Sequence, residues 1–168
     1  MKVIKVTLDT SVLPRTRMAA IIESARGLPI EFATVYVTHR EARGTPFELP
    51  AKLVLDTMVL GESELGAAVL GSDEHGSILD SLLSVISDRS FPKRGSRNKL
   101  SRGREHQLRD ALILLAHRRE NRDIFVTEDK KGFINGSRRE ALERLCCTRI
   151  MTVEEFGDFG DSLRISST

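Results

Sequence analysis

Apolar residues recur along the chain with two alternating periods, and that alternation predicts the fold class. Val3–Leu8 is a short β-branched run that stops abruptly at Asp9, the pattern of a strand whose C-terminal end opens into a loop. Pro14 follows, and Met18–Ala25 then reads as a helix with Gly27 as its stop. Phe32–Val37 is a second strand, and Thr38-His39-Arg40-Glu41 spells a capping box that predicts a helix from about Thr38, broken by Gly44–Pro50. Lys52–Leu60 fits strand or helix, because its apolar run is too short for its period to decide. Ser72 or Asp73 caps a helix through about Ser87, with Ile78, Leu82 and Val85/Ile86 on one face. Beyond a basic stretch at Arg89–Arg104, Glu105–Arg119 is a helix with Leu108, Leu112 and Leu115 on its buried stripe. Ile124–Thr127 is a short apolar strand ending in acids, and Ser137 with Glu140 caps a helix through Leu145. Thr148–Met151 is a strand, and Thr152 with Glu155 opens a last short helix. Strands alternating with crossover-length helices predict a three-layer α/β/α domain over residues 1–168, with a central, mainly parallel sheet.

Composition narrows the class. Of 168 residues, 40% are hydrophobic and 30% charged, enough apolar material for a core and too regular a mix for disorder. Lys and Arg exceed Asp and Glu only as 26 to 24, a net charge of +2, which excludes a histone-like basic chain. Eight aromatic residues and no Trp argue against a recognition surface built on stacking. No apolar run approaches the roughly 18 residues of a membrane span. The amino-terminal apolar run is too short, and too soon acidic, for a signal peptide. Cys146 and Cys147 are neighbours, so a disulfide between them would be strained, and a reducing, cytoplasmic setting is expected. The Gly-rich nucleotide-binding and HExxH zinc signatures are absent.

In parallel sheets of this kind ligands bind beyond the carboxyl ends of the strands, where strand order reverses. Asp9 ends the first strand, Glu41 lies just past the second, and Asp129 follows the Ile124–Thr127 strand. Asp110 sits at the edge of the apolar face of the Glu105–Arg119 helix, where a carboxylate is costly without a positive partner. Each acid alone has a plain structural explanation: Asp9 and Asp129 as turn residues, Glu41 as part of a capping box, Asp110 as half of an ion pair. Four of them at matching topological positions favour a shared site. Converging carboxylates repel one another unless a cation lies between them. An all-oxygen set suits Mg²⁺ or Mn²⁺, and the lack of a Cys/His set argues against zinc.

The string Leu8-Asp9-Thr10-Ser11-Val12-Leu13 resembles the opening of PIN-domain nucleases, in which a first strand delivers an Asp followed by a small hydroxyl residue. Leu108–Ala116, around Asp110, and Phe125–Phe133, around Asp129, resemble that family's third and fourth acidic motifs, in the right order. Arg149–Phe156 resembles its closing strand and helix, and Glu41 matches the second acid by position. The resemblance covers nearly the whole chain and is weakest over Lys52–Arg104, which is longer and more basic than in the smallest members. It implies a PIN-like fold and metal-dependent hydrolysis of RNA phosphodiester bonds, leaving a 5′-phosphate and a 3′-hydroxyl. Asp9, Glu41, Asp110 and Asp129 would hold one or two Mg²⁺ or Mn²⁺ ions, with Thr10, Ser11 and Thr127 orienting a carboxylate or a bound water. Glu128 departs from the neutral polar residue usual before the last Asp, and solvent is its expected environment. Many small members are toxins held by an antitoxin, and homodimers are common among them. The implied partners are therefore an RNA substrate, a cognate antitoxin and a second copy, with no membrane.

Between Asp88 and Asp110 stand Arg89, Lys93, Arg94, Arg97, Lys99, Arg102, Arg104 and Arg109 against Glu105 alone, an excess of seven positive charges. With Gly95, Gly103, Ser96 and Ser101 interspersed, the stretch reads as a flexible loop over about residues 89–104 that offers phosphate contacts. The expected nucleic-acid contacts are Lys93, Arg94, Arg97, Lys99, Arg102, Arg104 and Arg109, joined by Arg15 and Arg17 just after Asp9. Solvated surface, or a dock for an acidic protein, is the plainer explanation of the same charges. The four histidines have no spaced partners, and a surface position is expected for His106.

Two other functional classes compete. The same fold with its chemistry weak or lost would be an RNA-binding or protein-interaction module. Lys52–Asp56 also resembles, superficially, a strand presenting a phospho-acceptor Asp56 as in receiver domains, but the acidic pair expected after the first strand is missing because Thr10 follows Asp9. A haloacid-dehalogenase-like phosphatase would need an Asp where Ser11 stands.

Overall fold

The computed structural model describes residues 2–36, 38, 52–54, 56–58, 68–70, 72–93, 96–97 and 99–166. In chain order these form β1 (Ile4–Leu8), a 3₁₀ turn (Thr10–Val12), α1 (Arg15–Ala25), β2 (Ile30–Val35), β3 (Lys52–Val54), β4 (Asp56–Met58) and β5 (Ala68–Leu70). There follow α2 (Asp73–Ile86), α3 (Arg102–Arg119), β6 (Ile124–Val126), a π-helical turn (Lys130–Ile134), α4 (Arg138–Cys146), β7 (Arg149–Met151) and α5 (Val153–Ser166).

Five strands form one sheet in the order β3-β2-β1-β6-β7, every pair parallel. The order runs one way from β1 to β3 and the other way from β6 to β7, so the switch point lies between β1 and β6. Period-two alternation sends Val6, Leu8, Ile124, Val126 and Met151 to one face, where they pack with Ile21 of α1 and Phe156 of α5. Ala33, Val35, Phe125 and Ile150 face the other way, onto α2, α3 and α4. The three-layer α/β/α fold is therefore present, with helices on both faces of a parallel sheet. β4 and β5 form a separate two-stranded parallel sheet.

Local capping explains most boundaries. Ser72 caps α2, its hydroxyl accepting from His75 N–H while its own N–H donates to His75 Nδ1 at 3.0 Å. Thr152 and Glu155 form the expected reciprocal box at α5, which runs for 14 residues rather than one short turn. Thr38 departs from the pattern. Tyr36 is already helical, so Thr38 does not open the helix, and among the described residues its buried hydroxyl has no hydrogen-bond partner. Ser137 sits at the start of α4 without a side-chain capping bond. Lys52–Leu60 resolves, where described, into the two short strands β3 and β4.

The second half of α3 is buried on all sides from Ala111 to His117, because it packs between α2, α4, β2 and β4. The expected stripe is thus only one part of its buried surface. On the opposite layer α1 and α5 touch at Gly160, where a Cβ would lie 2.5 Å from the Ser24 carbonyl oxygen. Cys146 is a buried free thiol whose pKa is pushed up to about 12 by burial, and Cys147 is free and exposed.

His117 is fully buried against the sheet, with Nδ1 2.8 Å from Thr7 Oγ1 and Nε2 2.8 Å from Thr148 Oγ1. Burial, reinforced by nearby Arg122, lowers its pKa from 6.5 to about 3. The folded state thus refuses a proton that the unfolded chain accepts below about pH 6.5. This contribution is fully present above that value and is lost as pH falls towards 3, at up to about 1.4 kcal/mol per pH unit. Urea unfolding should show lower stability at pH 5 than at pH 7, with a flatter profile in His117→Gln. Equal wild-type stability at the two pH values would refute the assignment.

Candidate functional site

The carboxyl ends of β1 and β6 meet at the switch point. Asp9 continues β1 there, its N–H donating to the Val126 carbonyl at 3.0 Å. The residue is 5% exposed, and its Oδ2 accepts from Ser11 Oγ at 2.6 Å and Thr127 Oγ1 at 2.8 Å. Those two hydroxyls lie 3.2 Å apart and bind the next loop as well. Ser11 Oγ accepts from Glu128 N–H at 2.8 Å, and Thr127 Oγ1 accepts from Asp129 N–H at 3.0 Å. Ser11 and Thr127, expected as accessory residues, are thus both hydrogen-bonded to the Asp9 carboxylate. Thr10 contributes its backbone N–H to Asp9. Arg17 donates to the Ser11 carbonyl at 2.5 Å and so braces the 3₁₀ turn. Burial raises the Asp9 pKa above its ordinary value, opposed by the Ser11 and Thr127 hydroxyls and the turn N–H groups.

Asp129 opens the π-helical turn. Its Oδ1 accepts from the N–H groups of Lys131 and Gly132, each at 2.9 Å. Phe133 anchors the turn in the core, its ring centroid 5.1 Å from that of Phe125 on β6. Gly132 is therefore pressed against Asp129. A Cβ on it would lie 2.6 Å from Asp129 Oδ2 and 3.4 Å from Asp110 Oδ2 of α3. The two oxygens can be no further apart than the sum of those distances. Gly132 has no positive φ, so close approach to the two acids is what favours glycine here.

Asp110 and Asp129 line one wall of a cleft of about 530 Å³, whose other walls include Asp88, His106, Lys131 and Arg138. His106 is exposed at this cleft. The acids are half-buried, and the chain reaches Asp9 from Asp129 through the single hydroxyl of Thr127. Among the described residues no three His, Cys, Asp or Glu side chains gather closely enough to hold a metal ion. Glu41, the second acid of the expected set, lies outside the described residues, as does Arg94. The donor chemistry of the facing pair nevertheless fits Mg²⁺ or Mn²⁺, which commonly take one or two carboxylates together with water and phosphate oxygens. The glycine between the carboxylates leaves open the volume that a Cβ would fill.

Other expected positions are redistributed. Glu128 is half-buried rather than solvated, and Oε1 accepts from Val153 N–H at 2.9 Å, capping α5. Arg97 is turned inward: it donates to Asp80 at 2.7 Å and to the Pro92 carbonyl, lies 5.2 Å from the Phe91 ring centroid, and its side chain is 6% exposed. Its guanidinium fastens the basic stretch to α2. Ser87 Oγ accepts from Phe91 N–H and Ser90 Oγ donates to the Ser87 carbonyl, so the first part of that stretch is an ordered turn instead of a free loop. Arg102 and Arg104 lie within α3. Lys93, Lys99, Arg102, Arg104, Arg15 and Arg17 are exposed, and Arg109 is half-buried. Asp56 opens β4 in the second sheet instead of ending a strand of the main one, which is not the placement a phospho-acceptor needs.

Sequence reasoning assigned no role to Gly132, Lys131, Arg138 or Asp88. For Gly132 a signal was present, a glycine three residues after a candidate acid. Asp88 and Arg138 are 50 residues apart, and only the fold joins them. No protein-family model matches this chain, and no curated protein matches it.

Proposed function

We propose that this protein is a divalent-metal-dependent endoribonuclease of the PIN type. The observation that carries this reading is the approach of Asp110 and Asp129 across Gly132, linked through Thr127 to Asp9 at the sheet's switch point. A divalent cation held by Asp110 and Asp129 would polarise a phosphodiester and lower the pKa of an attacking water. Ser11 and Thr127 hold the Asp9 carboxylate in one orientation, and Asp9 would act on the pair through the Thr127 hydroxyl, which also binds the Asp129 N–H. Lys131 and Arg138 bring positive charge to the same cleft, where a substrate phosphate must lie. Glu41 belongs to the proposed ligand set by its position past β2. Lys93, Lys99, Arg102, Arg104 and Arg109 would add salt-dependent affinity for RNA.

A labelled structured RNA should be cut in Mn²⁺ or Mg²⁺, left intact in EDTA, and left intact by Asp110→Asn in either metal. Cutting that persists in EDTA would overturn the metal-dependent mechanism. By the same reading the protein acts in the cytoplasm as a toxin restrained by an antitoxin, with a homodimer as its assembled form. Induced expression should then arrest growth, and normal growth at high wild-type levels would remove the toxin role.

A second reading keeps the fold and drops the chemistry. It is favoured by the enclosure of Asp9, whose Oδ2 is already engaged by two hydroxyls. An RNA-binding or protein-interaction module would show no Mn²⁺-dependent rise in melting temperature, whereas the nuclease should show one that Asp110→Asn reduces.

A further inference from the structure

Three cavities form a series along the carboxyl-terminal half of α2. The first, of about 530 Å³, holds Asp110 and Asp129 and is bounded by Asp88 and Arg138. The second, of about 490 Å³, shares Asp88 and Arg138 with it and extends to Arg89 and Ser84. The third, also about 490 Å³, shares Ser84 and Arg89 with the second and ends at Phe91 and Lys93. The shared residues set the three side by side, with the Asp88–Arg138 pair between the first and second and Ser84 and Arg89 between the second and third, in a row leading away from the acidic pair.

The charges along it suit a polyanion. Arg138 sits at the first junction with its side chain 17% exposed, and its two NH2 contacts to Asp88 are 2.9 and 2.8 Å. Its NH1 donates to the Lys131 carbonyl, and its Nε is buried with no hydrogen-bond partner among the described residues. Asp88, by contrast, is 84% exposed. One guanidinium nitrogen thus meets both oxygens of a solvated carboxylate, a contact in which a phosphate oxygen can take the carboxylate's place. Asp88 and Arg89 both adopt left-handed backbone conformations, with φ of 50° and 64°, which places the acid at the first junction and the base at the second. Lys131, Arg89 and Lys93 are exposed along the same line.

We propose that this track binds a single-stranded RNA segment leaving the acidic pair, with Arg138 and Arg89 as successive phosphate contacts and Asp88 as the group the first phosphate displaces. The inference rests on the nuclease reading for where the strand must pass. Each cavity falls in the size range of small-ligand pockets, so unpaired bases can be lowered into successive pockets, which a duplex cannot do with its bases stacked inside.

The test uses the full chain and a fluorescein-labelled oligouridylate, with anisotropy recorded in EDTA, so that nothing is cut, across a range of salt concentrations. Arg89→Gln with Arg138→Gln should weaken binding and make the plot of log affinity against log salt shallower, by about 0.7 for each contact removed. Asp88→Asn should tighten binding, an opposite change that misfolding would not produce. Arg26→Gln, on the far layer, should leave both affinity and slope unchanged. Wild-type slope and affinity in the double variant, weaker binding in Asp88→Asn, or a preference for duplex RNA would each overturn the track. If the wild type cuts RNA in Mn²⁺ while the double variant binds normally, only the track fails. If the wild type neither binds nor cuts, the nuclease reading fails with it.

Discussion

Asp9→Asn is expected to reduce metal-dependent RNA cleavage on the order of 10³-fold while leaving the fold at least as stable as wild type at neutral pH. Both halves follow from one environment. Asp9 is 5% exposed, and burial raises its pKa above that of the unfolded chain despite the Ser11 and Thr127 hydroxyls. The folded state therefore holds the Asp9 proton more tightly than the unfolded state does. Its contribution is fully present below the unfolded pKa of about 3.8 and is lost as pH rises through the higher folded pKa. At neutral pH the ionised group works against folding, and a cation nearby is what would offset it. Asparagine removes the charge and keeps the size and an acceptor oxygen for the two hydroxyls. Melting curves with and without Mn²⁺, alongside the cleavage assay, check the prediction. A variant that cuts at the wild-type rate would remove Asp9 from the chemistry, and one that melts well below wild type without metal would show that its role is structural.

Gly132→Ala should damage the site through geometry alone. The new methyl would lie 2.6 Å from Asp129 Oδ2, and something must move. Oδ1 of the same carboxylate is tied to the Lys131 and Gly132 N–H groups, and Phe133 fixes the turn in the core, so the carboxylate has little room to rotate. The methyl also comes within 3.4 Å of Asp110 Oδ2, filling the space between the pair. The apparent affinity for Mn²⁺, read from the metal dependence of cleavage, should fall by about 10- to 100-fold, as for other changes that misplace a ligand without deleting it. Unfolding in the absence of metal should change less, because the clash is with a half-buried carboxylate oxygen and not with backbone. A normal metal dependence in Gly132→Ala would mean that Asp110 and Asp129 do not share a cation.

Much of this was legible along the chain because the relevant physics is local. Ser72 with His75 and Thr152 with Glu155 act within one turn, and strand runs such as Ile124–Val126 report their own burial by side-chain type. Where the local code has competitors it misled. The Thr38 pattern spelled a cap, yet the helix begins before it, and Glu128 found a helix N-terminus that stands 25 residues further on. Arg97 reads as one more cation in a basic run until Asp80 and Phe91 are brought beside it.

Sequence alone determined the layered α/β class, most of the element order and the placement of Asp9 and Asp129 after strand ends, since hydrophobic period and capping are properties of neighbouring residues. Tertiary structure decided which acids meet and what surrounds them. The parallel order β3-β2-β1-β6-β7 brings residues 118 positions apart into contact, so that the hydroxyl of Thr127 reaches Asp9. It sets α3 against the turn after β6, where Gly132 admits both Asp110 and Asp129, and it pairs Arg138 with Asp88 across the neighbouring cleft. Such contacts depend on the register and packing of whole elements, which no short window of sequence encodes.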